Sequence, residues 1–271
     1  MARKKQLIIP IFAPFGGCDK RCVFCDQKKI SGASSFPTSA QIEADIEKYL
    51  STWRGGGLKE AAFYGGSFTA IPEVEQRRML SAAHSFVASG RLDSIRVSTR
   101  PDSIDSAVLK LLIGYGVKTI ELGVQSFDDE VLKLSGRPHS AADVKRAAVL
   151  IKENGLRLGL QLMPGLPGDT EEKATASAEE AAALKPDFVR IYPTLVIKGT
   201  ELERMYNSGA YEPWTLDRMA MLCSKMLGVF GGFGIKVIRV GLQPTVELEK
   251  NIAAGPYHPA FRDMVERALA R

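Results

Sequence analysis

Long apolar runs, cysteine and histidine are all scarce in this sequence. None of its apolar runs approaches the roughly 20 residues of a membrane-spanning helix, which argues against a membrane protein. Four cysteines in 271 residues are too few for a disulfide scaffold, so we expect free thiols in a reducing compartment. The N-terminal segment MARKKQ leads straight into an apolar stretch and lacks a signal-peptide cleavage pattern. Together these absences predict a cytoplasmic protein with no membrane partner.

Three of the four cysteines stand close together near the N-terminus. Cys18, Cys22 and Cys25 have the spacing C-x3-C-x2-C and follow an apolar segment, 7–12, that predicts a strand. Iron–sulfur clusters are held by cysteine thiolates, and a cubane cluster has about four irons to ligate. Three cysteines would leave one iron without a protein ligand, where a small chelating molecule can bind. The spacing therefore favours a reactive cluster over a sealed electron carrier.

A zinc site is the other interpretation of these cysteines. Structural zinc needs four ligands, usually in two close pairs. The remaining candidates, Cys223 and the histidines, lie far away in the sequence. Cys223 stands at near-helical spacing with Met219, Met226 and Phe230, so we expect it to pack in the core as a small hydrophobic side chain.

Composition and patterning predict one α/β domain. Hydrophobic residues make up 45% of the chain and charged residues 25%, and short apolar runs alternate with amphipathic stretches. The candidate strands are 6–12, 60–64, 94–98, 119–123, 156–162, 187–192 and 236–240. The candidate helices are 39–53, 73–88, 103–115, 141–154, 171–184 and 216–230.

This alternation predicts a parallel sheet with helices outside it, and about six such units can close partway into a barrel. Chemistry in such barrels lies on the loops that follow the strands. The segments of unusual composition follow five predicted strands in turn: the cysteine loop, GGSFT at 65–69, STRPD at 98–102, GVQS at 123–126 and MPGLPG at 163–168. Their placement predicts an active site on one face of the barrel.

The chain is mildly basic, with a net charge of +5 and a pI of about 9.0. Basic pairs flank the cysteine loop: Lys4 and Lys5, Lys20 and Arg21, and Lys28 and Lys29. These pairs suit a phosphate-binding rim for RNA or a nucleotide-bearing substrate, the docking of an acidic electron donor, or an ordinary solvated surface.

The cysteine segment resembles the signature of the radical SAM superfamily, in which an aromatic residue precedes the last cysteine, as Phe24 does here. GVQSF at 123–127, GR at 136–137 and MPGLPG resemble both the oxygen-independent coproporphyrinogen III oxidase group and the radical SAM half of the Elongator catalytic subunit. STRPD, RIYPTLVIKGTEL at 190–202 and GAYEP at 209–213 resemble the Elongator-type group specifically. GLQPT at 241–245 and YHPAF at 257–261 resemble its stand-alone bacterial relatives.

The resemblance implies an α/β fold, a partial (β/α)6 TIM-like radical SAM barrel over residues 1–245 with a short C-terminal extension, 246–271, packed on it. It implies a [4Fe-4S] cluster and S-adenosylmethionine (SAM) as cofactors. In the family, the amino and carboxylate groups of SAM chelate the open iron. One electron then cleaves SAM to methionine and a 5′-deoxyadenosyl radical, which abstracts hydrogen from the substrate. The acetyltransferase domain of Elongator and the C-terminal substrate domain of the coproporphyrinogen oxidases are not expected in this chain.

The resemblance also implies site residues. The cluster ligands are Cys18, Cys22 and Cys25. The residues implied at the cofactor pocket are Phe24, Gly65, Gly66, Ser67, Ser98, Gln125, Arg137 and Gln161. Ser98 stands where relatives often have Glu, and Gln161 where they have Asp or His.

Candidate catalytic residues that contact the substrate are Tyr64, which ends the second predicted strand, and Tyr192 and Lys198, which end or follow the sixth. The alternative for all three is barrel closure and a surface loop. Arg100 is either a salt-bridged barrel residue or a pocket residue. His84 and His139 are expected to be structural.

The function expected from these features is a radical SAM enzyme, an oxidoreductase or a transferase, that acts on tRNA or another phosphate-bearing substrate. A reductase such as flavodoxin or ferredoxin is the expected electron donor. Two alternatives are a radical SAM enzyme acting on a small molecule or tetrapyrrole, and a non-catalytic module that binds a cluster or zinc.

Overall fold

The chain folds into a parallel sheet that curls into a half-barrel, with helices on its outer side. The structure, a computed structural model, describes residues 6–14, 18, 22–27 and 35–269. Within them the strands are β1 Leu7–Phe12, β2 Lys59–Tyr64, β3 Ser94–Thr99, β4 Val117–Gln125, β5 Arg157–Leu162, β6 Phe188–Ile191, β7 Val196–Ile197, β8 Lys236–Val240 and β9 Ile252–Ala254. The main sheet has the order β1-β2-β3-β4-β5-β6-β8 with parallel pairing throughout, and β7 pairs with β9 in a small antiparallel sheet.

Helices connect consecutive strands and cover the outer face of the sheet. They are α1 Ser39–Thr52, α2 Glu73–Ala88, α3 Ser106–Gly114, α4 Asp129–Leu134, α5 Ala141–Glu153, α6 Glu171–Ala183, α7 Glu201–Asn207, α8 Leu216–Gly232, α9 Val246–Asn251 and α10 Phe261–Leu269. Several begin at a hydroxyl N-cap. Thr38 and Ser140 form capping boxes with Gln41 and Asp143, and each box satisfies backbone N–H groups that the first helical turn leaves unpaired.

The two faces of the sheet differ in chemistry. On β1, Ile9 and Ile11 are fully buried against the helices, together with Phe63 of β2 and Ile120 of β4. The alternate residues point to the concave side, because successive side chains of a strand point to opposite faces. There the strands carry polar and charged side chains, which line the lumen of the half-barrel.

The predicted α/β architecture is confirmed, since each predicted strand and helix overlaps an observed one. The C-terminal extension ends in α10, which packs on the barrel through Phe261 and Val265, both of which are buried. Helices α7 and α9 and the β7–β9 pair were not predicted, because each is too short to show a periodic pattern. The division at residue 245 remains a prediction.

Two further observations bear on the predictions. No helix in the described part of the chain has the length and apolar character needed to cross a membrane. The basic pairs that flank the cysteine loop, at 4–5, 20–21 and 28–29, lie outside the described residues.

Candidate active site

The cysteine loop follows β1 and is attached to two distant parts of the chain. The backbone N–H of Val23 donates to the carbonyl oxygen of Ser135 at 3.1 Å, and the N–H of Leu202 donates to the carbonyl oxygen of Val23 at 2.8 Å. Phe24 packs against a small apolar cluster that includes Tyr211. The loop is therefore anchored between the end of α4 and the start of α7.

The three thiols are half-buried, and they lie close enough to influence one another. Burial raises the pKa of the Cys25 thiol to about 12, with smaller upward contributions from Cys22 and Cys18. Because the thiolate is the form that binds metal, metal binding here must release protons. An Nη1–H of Arg137 points at the sulfur of Cys22 at 3.2 Å.

The same geometry bears on the zinc interpretation. Among the described residues, no three Cys, His, Asp or Glu side chains converge on a point where they can share one metal ion. A mononuclear zinc site requires such convergence, whereas the thiolates of a [4Fe-4S] cluster bind different irons.

Arg137 joins the cysteine loop to the end of β4. Its Nη2 donates to the carbonyl oxygen of Gly123 at 2.7 Å and lies 3.4 Å from Nδ1 of His139. Nε2 of His139 lies 3.0 Å from the carbonyl oxygen of Val124, so it must carry the proton and donate. Burial, and then the charge of Arg137, lower the pKa of His139 to about 4. The imidazole is therefore neutral, and its Nδ1 can accept from Arg137.

Gln125 occupies a strained position at the end of β4. Its φ of 71° lies in the left-handed region, which a residue other than glycine adopts rarely and at some cost. Its side-chain Oε1 accepts from Nε2 of Gln161 at 3.3 Å. A Cβ on Gly123 would come within 2.9 Å of its Nε2, so the glycine leaves room for this amide. Such local strain is typical of residues held in place for function.

The glycine turn after β2 lies beside the loop that follows β1. Gly65 has a φ of 97°, and a Cβ there would lie 3.5 Å from the backbone of Ala13. Ser67 is fully buried, and its hydroxyl lies 2.8 Å from that of Thr99 and accepts from the N–H of Arg100 at 3.1 Å. The Ser67 side chain therefore fixes the turn to the end of β3. Gly65 and Gly66 are half-buried.

Ser98 and Gln161 both lie on the lumen side of the sheet. Ser98 is half-buried and in register with Glu121 of β4, and Gln161 is in register with Gly123 and Arg190. The structure thus brings the cysteines, Arg137, Gln125, Gln161 and the glycine turn to one end of the half-barrel.

The lumen contains a network of buried charges that the predicted elements and motifs did not include. Arg96 donates to Glu60 at 2.6 Å and to Glu121 at 2.8 Å, and both carboxylates are at most 5% exposed. Arg157 donates to Glu60 at 2.5 Å, and Arg190 donates to Glu121 at 2.7 Å. Burial alone would raise the pKa of Glu60, but the charges of Arg96 and Arg157 and the hydrogen bonds from Arg96 and Ser94 together outweigh it, so the pKa is lowered. The network holds more positive than negative charge.

A lone charge inside an otherwise apolar strand is the signal that could have revealed this network. Arg96 stands between Ile95 and Val97, and Glu121 between Ile120 and Leu122. The sequences of strands that are buried on both faces are normally continuous apolar runs. Charges at the centre of neighbouring strands therefore predict partners across a shared lumen.

Two of the predicted catalytic residues contact this network, and the third lies elsewhere. Tyr64 donates to Glu121 at 3.0 Å and accepts from Arg190 at 3.2 Å, and Arg190 also donates to the hydroxyl of Tyr192 at 3.3 Å. Burial, and then Glu121, raise the pKa of Tyr64, so it stays a neutral phenol. Lys198 is exposed, and its ammonium donates to the Lys250 carbonyl oxygen at 2.9 Å, which connects it to the end of α9.

Other predicted residues take structural positions. Cys223 is fully buried in the core, and burial raises its pKa. Arg100 pairs with Asp102 at 3.0 Å, and Nδ1 of His84 lies 2.9 Å from the carbonyl oxygen of Tyr115.

The MPGLPG turn after β5 is held by two groups. The N–H of Gly165 donates to Asp169 at 2.8 Å, and the hydroxyl of Tyr211 donates to the carbonyl oxygen of Gly165 at 2.6 Å. Burial raises the pKa of Asp169 to about 6. Tyr211 belongs to the GAYEP segment, so this bond joins an Elongator-type motif to the MPGLPG turn, which resembles both groups.

Comparison with known families agrees with this geometry. Residues 12–181 match the model of the radical SAM superfamily, and residues 186–271 match that of the Radical_SAM C-terminal domain. The chain belongs to the radical SAM superfamily. It is an enzyme of the radical SAM type, and the cofactors of that family are a [4Fe-4S] cluster and SAM.

The relatives confirm the resemblance to the Elongator-type group. A tRNA uridine(34) acetyltransferase of Methanocaldococcus jannaschii is 37% identical over 200 residues, which are 66% of this chain and 37% of that protein. Elongator complex protein 3 of Danio rerio is 27% identical over 266 residues, 87% of this chain and 47% of that protein. This radical SAM chain spans 24% to 37% of the length of the tRNA uridine(34) acetyltransferases it matches.

Solved structures share the fold. The archaeal Methanocaldococcus infernus Elp3 covers 98% of this chain and 63% of its own, with a TM-score of 0.77 and 23% identity. Coproporphyrinogen III oxidase (HemN) from Escherichia coli covers 70% of this chain and 44% of its own, with a TM-score of 0.52 and 21% identity. At these identities the likeness is one of fold.

The residues present fit both cofactors of the radical SAM family. The three thiols match a cluster with one iron left for SAM. Nε of Arg137 is buried and has no hydrogen-bond partner among the described residues, so this guanidinium keeps a donor suited to a carboxylate beside Cys22. Gly65, with its positive φ, lets the backbone approach a ligand closely.

Proposed function

We propose that this radical SAM enzyme cleaves SAM reductively and that the resulting radical abstracts hydrogen from a tRNA substrate. The observation that carries the proposal is the position of Arg137, which contacts the Cys22 sulfur and the Gly123 carbonyl oxygen at once. This one side chain joins the cluster loop to the strand end where Gln125 is strained. When bound, the cluster and SAM supply the electron and the carbon radical, and the protein supplies orientation and exclusion of water.

Each residue of the site has a proposed role in binding the cluster or SAM. Cys18, Cys22 and Cys25 hold the cluster. Gly65 and Gly66 offer backbone carbonyl groups to the SAM amino group, and Arg137 offers its N–H donors to the SAM carboxylate. The remaining proposed pocket residues are Phe24, Ser67, Ser98, Gln125 and Gln161. Neutral His139 keeps Arg137 in place, because it accepts from the guanidinium and donates to the Val124 carbonyl oxygen.

The proposed substrate lies over the lumen, where the two tyrosines and Arg190 face the radical. Tyr64 and Tyr192 share Arg190 as a hydrogen-bond donor, so the three side chains form one rigid surface. A neutral phenol held in this way orients a substrate and does not act as a base. A tRNA substrate is supported by the named relatives and by the excess of positive charge in the lumen.

The proposed reaction also indicates a cellular location and an electron donor. The cysteines must stay reduced and an electron must be delivered, so we propose a cytoplasmic location and a reductase such as flavodoxin or ferredoxin as the donor.

The test is an anaerobic assay of 5′-deoxyadenosine. The protein is purified and reconstituted with iron and sulfide, and SAM and dithionite are added with and without tRNA. We expect a brown protein that forms 5′-deoxyadenosine faster when tRNA is present. Cys22→Ala should lose the colour and the product. Cys223→Ala is the matched control, since it removes a core cysteine, and it should keep both.

Two outcomes would contradict the proposal in different ways. An intact cluster that never cleaves SAM would refute the proposed reaction and favour a binding module. Product formation that responds to an RNA-free metabolite extract and not to tRNA would retain the reaction and refute the substrate, in favour of a small molecule or tetrapyrrole.

A further inference from the structure

An arginine on the last strand of the half-barrel faces the lumen and has no partner among the described residues. Arg239 belongs to β8, which carries one extra residue, Ile238, opposite the Val189–Arg190 step of β6. This irregularity lets Val237 and Val240 both pack against the helices and places Arg239 on the other face. It is in register with Arg190 of β6, whose side chain lies in the lumen. Register partners on neighbouring strands share a face of the sheet, so Arg239 also lies on the lumen side.

Arg239 differs from the other lumen arginines in its contacts. Arg96, Arg157 and Arg190 all pair with the carboxylates of Glu60 or Glu121. Arg239 is half-buried, and it makes no hydrogen bond or ion pair with any residue that the structure describes. Both lumen carboxylates are already shared among the other three arginines, so neither is left to neutralise it.

This arrangement is unfavourable unless an anion joins it. Like charges directly opposite each other on neighbouring strands destabilise a sheet. A half-buried guanidinium also loses hydration without gaining a hydrogen bond in exchange. A position of this kind is typical of a ligand-binding residue, whose cost to stability is recovered when the ligand is bound.

The position of Arg239 identifies the ligand it suits. β1 and β8 are the two edges of the sheet, so Arg239 stands on one border of the open side of the half-barrel and Phe12 on the other. Phe12 is an exposed aromatic residue, 38% accessible, on the same face as Tyr64, with ring centres 6.4 Å apart. A guanidinium binds phosphate through two parallel N–H donors, and an exposed aromatic ring stacks on a base.

We infer that Arg239, beside Arg190, binds a backbone phosphate of the RNA substrate at the open side of the half-barrel. The inference rests on the proposed tRNA substrate and adds a specific contact to it. The phosphate bridges the two guanidinium groups and relieves their repulsion. Removing Arg239 must therefore weaken RNA binding and leave the free protein no less stable.

The experiment compares Arg239→Gln with Arg239→Lys and Lys236→Gln in the reconstituted protein. Lys236 is the matched control, because it is an exposed cation on the same strand. Binding of a fluorescein-labelled tRNA anticodon stem-loop is measured by anisotropy from about 50 to 200 mM salt. Thermal unfolding is recorded for each protein without RNA.

We expect Arg239→Gln to bind the stem-loop about tenfold more weakly and its log–log salt slope to become shallower by about 0.7 to 1. Arg239→Lys should keep the salt slope and lose part of the affinity, because it keeps the charge without the planar fork. Lys236→Gln should stay within about twofold of wild type. The melting temperature of Arg239→Gln should equal or exceed that of wild type.

Other outcomes overturn the inference. If the stem-loop binds Arg239→Gln as tightly as wild type, with the same slope, Arg239 is not a phosphate contact and the tRNA proposal stands. If wild type binds no RNA although it cleaves SAM, the substrate proposal and this inference fall together. A large fall in the melting temperature of Arg239→Gln assigns the residue a structural role.

Discussion

The lumen network makes a strong prediction about stability, which Glu121→Gln tests. The Glu121 carboxylate is 5% exposed and accepts hydrogen bonds from Arg96, Arg190 and Tyr64 at 2.7 to 3.3 Å. The substitution keeps the size of the side chain and removes its charge. Glu60 would then be the only carboxylate facing the three arginines of the network.

The expected magnitude follows from burial. Breaking a buried ion pair by removing one partner costs about 3–5 kcal/mol, because the remaining charge is left without a counterion in a region of low polarity. Here two guanidinium groups lose a partner, and their side chains are 2% and 13% exposed. Domains are stable by about 5–15 kcal/mol, so the loss is a large share of the total.

The assay is urea unfolding of the reconstituted protein under anaerobic conditions, followed by circular dichroism. Glu47→Gln is the control. Glu47 makes two contacts with Arg91, at 2.5 and 2.6 Å, but these side chains are 50% and 46% exposed. Solvent and salt screen such a pair, so its loss should change the midpoint little.

The comparison of Glu121→Gln with Glu47→Gln tests whether the buried network stabilises the half-barrel. If Glu121→Gln lowers the midpoint no more than Glu47→Gln does, water screens the lumen charges, and the buried network does not stabilise the half-barrel in the way described. A changed denaturant slope would show instead that the substitution altered the compactness of one of the two states.

Three further predictions concern single residues. His139→Gln should flatten the pH dependence of stability between about pH 6.5 and 4. Because the folded pKa is about 4, wild-type stability falls by roughly 3 kcal/mol as the pH is lowered across that window and the unfolded state gains a proton. The measurement is urea unfolding at several pH values. If the free energy of unfolding changes with pH equally in wild type and His139→Gln, the prediction is wrong. Tyr211→Phe removes a 2.6 Å hydrogen bond to a turn carbonyl and should cost about 1–2 kcal/mol in the same assay, and an unchanged midpoint would show that water replaces it. Gly159→Ala places a Cβ 2.4 Å from the Phe188 ring and should cost about 1–3 kcal/mol. Gly56→Ala is the control and should leave the free energy of unfolding unchanged, because nothing lies within 4 Å of the added Cβ. Equal effects of the two substitutions would mean that the Phe188 ring moves aside without cost.

Much of the fold could be read from the residues in order. The strands β1 to β6 and β8 are apolar runs of the right length, and hydroxyl caps such as Thr38 and Ser140 mark where helices begin. These signals are local, because strand and helix periodicity and capping depend on residues a few positions apart. The short elements β7, α7, α9 and β9 escaped prediction because segments of two to seven residues are too short to show a period.

The cofactor end of the site was also largely predictable. Parallel strands place their C-terminal ends at one edge, so motifs after successive strands must meet there. This reasoning brings Cys22, Gly65 and Gln125 to one edge without any coordinates, whereas Arg137, which follows a helix, was implied only by the family resemblance. It does not reveal that His139 holds Arg137, since that contact depends on the shape of a single turn.

The amino-acid sequence by itself determined the family, the order of strands and helices, and the edge of the sheet where the cofactor motifs meet. These features depend on local patterns and on the topology that those patterns impose. Only the tertiary structure decided which side chains share the lumen. Glu60 pairs with Arg96 and Arg157, and Lys198 contacts the end of α9. Arg239 has no carboxylate partner in the part of the chain that the structure describes. Such partnerships depend on strand register and on the curl of the sheet, and these are set by packing across the whole barrel.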